Sequence, residues 1–291
     1  MLSKANFSDN TSGLSAELFH GPQTVFADGD RLLIVDNSDN RILVYNTIPN
    51  TSGAAADYAI GQPDLSSDDH ACTAAGLNSP ESAIIIDGKL VVADGSNNRV
   101  LIWNSVPTTF SVSADIVLGQ SSFASCDING GGAGTPSASS LSWPSDVWSD
   151  GTRLLVADTG NNRLLLWNSF PTANNTAADI VIGQPDFTSD GWGDGATEFN
   201  YPYMIDSNGT QIFVADSSNN RVVVFNEFPE VNGAAADIVL GQTAFGQHDR
   251  DADFGGPNSV GFFSPDGVYV YENQLFVLET GNNRVLVFEG L

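Results

Sequence analysis

Apolar residues along this chain come in short runs, each bounded by Gly, Asn, Asp, Ser or Pro, and the runs repeat. Five segments align without gaps: 31–46 (RLLIVDNSDNRILVYN), 89–104 (KLVVADGSNNRVLIWN), 153–168 (RLLVADTGNNRLLLWN), 211–226 (QIFVADSSNNRVVVFN) and 274–289 (QLFVLETGNNRVLVFE). Each reads as a strand, a tight turn and a second strand, because β-branched and aromatic residues flank a Gly/Ser/Asn cluster. A second element follows the first four hairpins: ADYAIGQ (56–62), ADIVLGQ (114–120), ADIVIGQ (178–184) and ADIVLGQ (236–242), again a strand, closed by Gly-Gln. A third precedes each hairpin, a short apolar strand opened by Pro22, Pro80, Pro144, Pro202 or Pro265. Each repeat thus supplies four strands, here called a, b, c and d in chain order.

Four antiparallel strands repeated at this period predict an all-β fold, a five-bladed β-propeller of four-stranded antiparallel blades. The repeats run over about 18–62, 77–120, 141–184, 199–242 and 262–291, and the expected organisation is a single domain over residues 1–291. The fifth repeat stops after strand c. Residues 1–9 (MLSKANFSD) line up with VIGQPDFTSD (181–190) across one gap, so the N-terminal segment is expected to complete the last blade. Closure of that kind removes exposed sheet edges; a piece of a longer array is the rival reading.

Composition narrows the function classes. Acidic residues number 35 against 10 basic ones, a net charge of −25. Such a surface repels nucleic acid and anionic membranes and attracts basic partners or divalent cations. No apolar run is long enough to span a bilayer, so no membrane insertion is expected. The two cysteines, Cys72 and Cys126, cannot form a metal site alone. They fall in equivalent loops of neighbouring repeats and are candidates for one loop-to-loop disulfide. Sequons at Asn6, Asn10, Asn50, Asn174 and Asn208 fall at expected loops or turns and are candidate glycosylation sites.

The segment VADTGNNRLLLW (156–167) and its four counterparts strongly resemble the NHL repeat. With ADIVIGQPDF (178–187), the chain resembles bacterial extracytoplasmic NHL-repeat proteins over nearly its whole length. The resemblance implies a propeller and an extracellular or cell-surface setting. It implies little about activity, since such propellers include binding platforms as well as lyases and hydrolases. One departure is Glu279, where the other repeats carry Asp36, Asp94, Asp158 and Asp216.

The turn motif itself reads as architecture. The carboxylates at 36, 94, 158, 216 and 279 end strand b, and Arg41, Arg99, Arg163, Arg221 and Arg284 begin strand c across a short turn, where a guanidinium fork suits a carboxylate. Five copies of one arrangement argue against catalysis, which needs different groups in different roles. Function is expected in the long, variable d–a loops, which share a face with the b–c turns. All three histidines fall there: His20, His70 and His248. Asp249, Asp251 and Asp253 alternate carboxylates before a glycine pair and resemble the first half of a Ca2+ loop, without its terminal Glu; Asp186, Asp190 and Asp194 form a looser set. Glu81, Asp146 and Asp266, near the start of strand a, are candidates to hold a cation at a propeller axis. Trp143, Tyr201, Trp192 and Phe263 suit a sugar or peptide ligand, whereas Trp103, Trp167, Tyr45, Phe225 and Phe288 on strand c are expected between blades. No nucleophile elbow, HExxH or phosphate loop occurs. The expected function is a non-enzymatic extracellular binding or assembly module for a protein, peptide or glycan. The alternatives are a metal-dependent lyase or hydrolase and a self-associating structural subunit.

Overall fold

A computed structural model of the chain describes residues 11–131, 134–253 and 256–290, Asp253 by its backbone only. The chain is an all-β, five-bladed β-propeller, one antiparallel sheet per repeat. The first sheet holds β1 (Pro22–Asp28), β2 (Arg31–Asp36), β3 (Arg41–Tyr45) and β4 (Tyr58–Ile60); the second β5 (Pro80–Ile86), β6 (Lys89–Asp94), β7 (Arg99–Trp103) and β8 (Ile116–Leu118). The third holds β9 (Pro144–Ser149), β10 (Leu154–Asp158), β11 (Arg163–Trp167) and β12 (Ile180–Ile182); the fourth β13 (Pro202–Ser207), β14 (Ile212–Asp216), β15 (Arg221–Phe225) and β16 (Ile238–Leu240). The fifth holds β17 (Pro265–Tyr271), β18 (Gln274–Glu279) and β19 (Arg284–Glu289), three strands among the described residues. Residues 1–9, expected as its fourth strand, and the sequons at Asn6 and Asn10 lie outside the described residues. No described helix is long and apolar enough to cross a membrane.

The contacts divide the chain into two compact units. Residues 1–134 and 172–176 form the first, with the first two sheets; residues 135–171 and 177–291 form the second, with the other three. In both, strands b and c are apolar without alternation, and the packing gives the reason. β3, β7, β11 and β15 are buried at every position, so both faces of these strands are covered. Leu33, Val35, Val92 and Leu101 anchor the core of the first unit, and Leu155, Leu164, Val214 and Val223 that of the second. Trp103, Trp167 and Tyr45 are each 1% exposed. Phe225 is buried too, and Phe288 is half-buried against its neighbours.

Each b–c turn is one turn of 3-10 helix closed by an asparagine in the left-handed region: Asn40, Asn98, Asn162, Asn220 and Asn283, φ 52 to 54°. Asn tolerates that conformation better than any other residue except Gly, which fixes the last Asn of the motif. The residue before each strand-a proline is also left-handed: Gly21, Ser79, Trp143, Tyr201 and Ser264. Trp and Tyr are costly choices there, since a bulky side chain at positive φ is strained.

Candidate functional site

The repeated Asp and Arg form a clip that fastens the d–a loops. Nε of Arg41, Arg99, Arg163 and Arg221 donates to Oδ2 of Asp36, Asp94, Asp158 and Asp216 at 2.9, 2.7, 2.7 and 2.7 Å, with all eight side chains fully buried. In the last repeat Arg284 donates to Glu279 at 2.5 Å, and there the arginine is 24% exposed. The other carboxylate oxygen accepts a backbone N–H from the incoming d–a loop: His20, Asn78, Ser142, Asn200 and Phe263, all at 2.7 Å. The free end of each guanidinium donates to loop carbonyls. Arg163 reaches Ser137 and Ser140 on the incoming loop and Phe187 on the outgoing one, and Arg99 likewise reaches Thr73, Gly76 and Phe123. One side chain therefore ties together two loops that are distant in sequence.

The glutamine that closes strand d is a second rivet. Its Nε2 donates to the left-handed Asn carbonyl and to a loop carbonyl seven residues ahead: Gln62 to Asn40 and Asp69, Gln120 to Asn98 and Asp127, Gln184 to Asn162 and Gly191, Gln242 to Asn220 and Asp249. In the sequence this device shows only as a recurring Gly-Gln. The glycine is needed because a Cβ on Gly183 would overlap the Phe199 ring and one on Gly241 the Phe262 ring.

Burial sets the electrostatics of the clips. It pushes the Asp94 and Asp158 carboxyls above their ordinary value, and Asp216 up to about 6, against the opposing pull of the paired arginine. The first repeat differs. Asn97, Asn161 and Asn219 each donate to the clip carboxylate at 2.8–2.9 Å, but Asp39 holds that place in the first repeat. Burial first, and repulsion from Asp36 second, raise Asp39 to about 6; Arg41 and His20 pull the other way. Arg41 lies 3.1 Å and His20 3.3 Å from it.

The acidic candidates near strand a serve individual contacts. In the first unit Glu81 accepts from Asn37 at 3.2 Å. In the second unit Asp146 accepts the N–H groups of Val147 and Ile205, each at 2.9 Å, while Asp266 accepts from Ser217, Ser264 and Thr280. Asp146 and Asp266 share no hydrogen-bond partner among these. Asp251 is 1% exposed and accepts from Asn282 at 2.6 Å. Asp249 lends its backbone carbonyl to Gln242, and the Asp253 side chain lies outside the described residues. Asp186 accepts from Thr188 and Ser189, bonds that hold its carboxyl below the usual range. His248 pairs with Asp194 at 2.8 Å. Among the described residues no three His, Cys, Asp or Glu side chains form a group that could hold a metal ion.

Cys72 and Cys126 form a disulfide in the first unit, Cα–Cα 6.2 Å, joining the d–a loops on either side of the second sheet. Asn50 and Asn208 are exposed loop residues. Asn174 is exposed as well, but its Oδ1 accepts the Val117 N–H at 3.0 Å.

Aromatic side chains converge in the second unit. Trp143 lies 5.2 Å from Tyr201 and 6.0 Å from Tyr203, ring centre to ring centre. Tyr201 is 39% and Trp192 68% exposed, whereas Phe263 is covered by the Arg250 guanidinium at 3.9 Å. The c–d loops hold hollows that the motifs do not announce. Tyr45, Ile48 and Asp57 help line one of about 320 Å3 in the first sheet, and Phe225, Phe228, Glu227, Glu230 and Asp237 one of about 560 Å3 in the fourth. At the equivalent place in the second repeat Trp103 donates its indole N–H to Val112 of its own c–d loop at 3.0 Å.

No protein-family profile matches the chain, and no curated protein matches it. Solved structures do, and the likeness is one of fold. A structure of the mitotic checkpoint complex shares 10% identity over 92% of this chain and 61% of its own, with a TM-score of 0.52. A protein of unknown function from Bacteroides caccae shares 10% identity over 94% of this chain and 80% of its own, with a TM-score of 0.51. A streptogramin B lyase shares 9% over 96% and 71%, with a TM-score of 0.47.

Proposed function

We propose that this NHL-type propeller is a non-enzymatic binding module that takes a basic polypeptide on the d–a loop face of its second unit. The observation that carries the reading is the cluster of Trp143, Tyr201 and Tyr203, with two of its rings on strained left-handed residues. Ser and Gly hold that backbone place in the other repeats, so the turn forms without the strained bulky rings of Trp143 and Tyr201. The loops behind them are bonded by the arginine clips and glutamine rivets, so ordering them for binding costs little. A net charge of −25 favours a basic ligand, and the chain already stacks guanidinium on aromatic rings at Phe263 and Phe228. We further take the protein to work outside the cytoplasm, a reading supported by the Cys72–Cys126 disulfide.

Titration of the whole chain with a lysine-rich peptide at low salt, followed by tryptophan fluorescence, tests this. Tyr201→Ala is expected to weaken binding about tenfold, the ~1–2 kcal/mol of one lost cation–π and stacking contact, with the melting curve unchanged. Unchanged affinity in that variant would sink the proposal.

A further inference from the structure

In each of the first four sheets the clip and the turn grip the same two loop positions. The arginine donates to the carbonyl of the residue 26 places before it on the incoming loop: Ser15, Thr73, Ser137 and Gly195. The side-chain amide of the left-handed asparagine donates to the carbonyl 28 places after it on the outgoing loop: Asp68, Cys126, Asp190 and His248. The residues just before the first set of anchors are Leu14, Cys72, Pro136 and Asp194. Cys72 with Cys126 and Asp194 with His248 are therefore the same pair of positions in two repeats.

Both pairs are bonded. In the first unit the link is the Cys72–Cys126 disulfide. In the second unit His248 Nδ1 lies 2.8 Å from Asp194 Oδ2. Leu14 with Asp68, and Pro136 with Asp190, have no chemistry for such a link, yet their sheets form with four strands each. Clips and rivets already fasten these loops in every one of the four sheets. The extra link thus serves what the loops present rather than the sheet beneath.

In the fourth sheet the linked loop is 185–201. Trp192, 68% exposed, precedes Asp194 on it, and Tyr201 closes it. The backbone beside the link is fixed as well: the Gly193 carbonyl accepts from Asn219 at 2.8 Å, and the Asp194 carbonyl accepts the Gly246 N–H at 2.8 Å.

We propose that Asp194 and His248 are positioning residues of the ligand site. Their pair is a clasp, standing where the second repeat has its disulfide, that holds the loop bearing Trp192 and Tyr201 in its binding shape. The proposal rests on the basic-peptide reading of that face.

The test titrates the lysine-rich peptide into variants of the whole chain at low salt. His248→Ala opens the clasp and leaves every carboxylate in place. Charge alone would then draw the peptide more strongly to the freed Asp194. The clasp predicts the opposite sign: binding weakened about threefold, what a half-exposed pair is worth, with the thermal melt little changed and faster amide exchange in the 185–201 loop. The double variant Asp194→Cys, His248→Cys is expected to form a second disulfide with oxidised glutathione, read by peptide mapping, because its backbone anchors match those of Cys72 and Cys126. Its oxidised form should bind about threefold more tightly than its reduced form at equal charge, with the parent under the same reductant as reference. Equal or tighter binding by His248→Ala, cysteines that do not cross-link, or equal affinity of the two redox forms would each overturn the proposal. A parent that binds no lysine-rich peptide, with the cysteines still cross-linking, would overturn it at the ligand reading and not at the clasp.

Discussion

At the scale of single residues, the first repeat carries a titratable group where the other four carry an amide. Asp39 sits 3.1 Å from Arg41 and is held near 6 by burial and by Asp36. A folded-state value above the model value of 3.8 means that the folded chain binds this proton more tightly. Its contribution to stability is therefore greatest below about pH 4 and is lost as pH rises through about 6. Asp39→Asn replaces the acid by the donor seen at Asn97, Asn161 and Asn219. The variant is expected to melt a few degrees higher at neutral pH and to show a flatter dependence of Tm between about pH 4 and 6. A melt at neutral pH lower than that of the parent would refute the assignment. Arg163 allows a complementary measurement. Arg163→Lys keeps the charge but cannot present the fork that meets Asp158, Phe187, Ser137 and Ser140 together. Urea denaturation should show a loss of about 3 kcal/mol, the cost of breaking one side of a buried pair.

At the scale of elements, the loops depend on rivets spread along the sequence. Gln184→Ala leaves the carbonyls of Asn162 and Gly191 without their donor. A cost of about 1–3 kcal/mol follows, together with faster hydrogen exchange in the 185–191 loop than in β11. Much of this level was legible in the sequence. Pro22, Pro80, Pro144, Pro202 and Pro265 each open a strand in the structure, because proline fits the first position of a strand and little else in a sheet. The hairpins were legible because Asp, Asn and Arg recur at fixed spacing and only Asn suits the left-handed turn residue. Other features were not. The Gly-Gln repeat gives no clue to which carbonyls its amide reaches, since those lie in loops of unlike sequence. The hollow beneath Phe225 shows only as a smaller ring where Trp103 and Trp167 stand in other repeats. β16 and β8 share one sequence, yet Ile238 is 40% exposed and Ile116 4%; burial of an edge strand is decided by what the next segment lays over it. The carboxylates of Glu81, Asp146 and Asp266 were legible as polar residues at strand a, but their hydrogen bonds, to Asn37, to the Val147 and Ile205 amides, and to Ser217, Ser264 and Thr280, were not.

At the scale of the molecule, the surface stays strongly acidic once the buried clips are set aside. Of the 10 basic residues, five are the motif arginines, and four of those are fully buried. Arg153 is bound to Asp150 at 2.7 Å and stacked on Phe228, and Arg250 is stacked on Phe263. The clips take arginines and carboxylates out of the surface in pairs, and the many acidic residues that stay exposed meet few exposed cations. Two consequences of opposite sign follow as salt is raised from about 10 mM to about 0.5 M, a range over which the screening length falls from ~30 Å to a few Å. Repulsion among surface carboxylates is screened, so the melting temperature should rise by several degrees. Attraction for a basic peptide is screened by the same ions, so its affinity should fall. Calorimetry of the basic peptide across one salt series checks the second consequence: an affinity indifferent to salt would mean that surface charge plays no part in recognition.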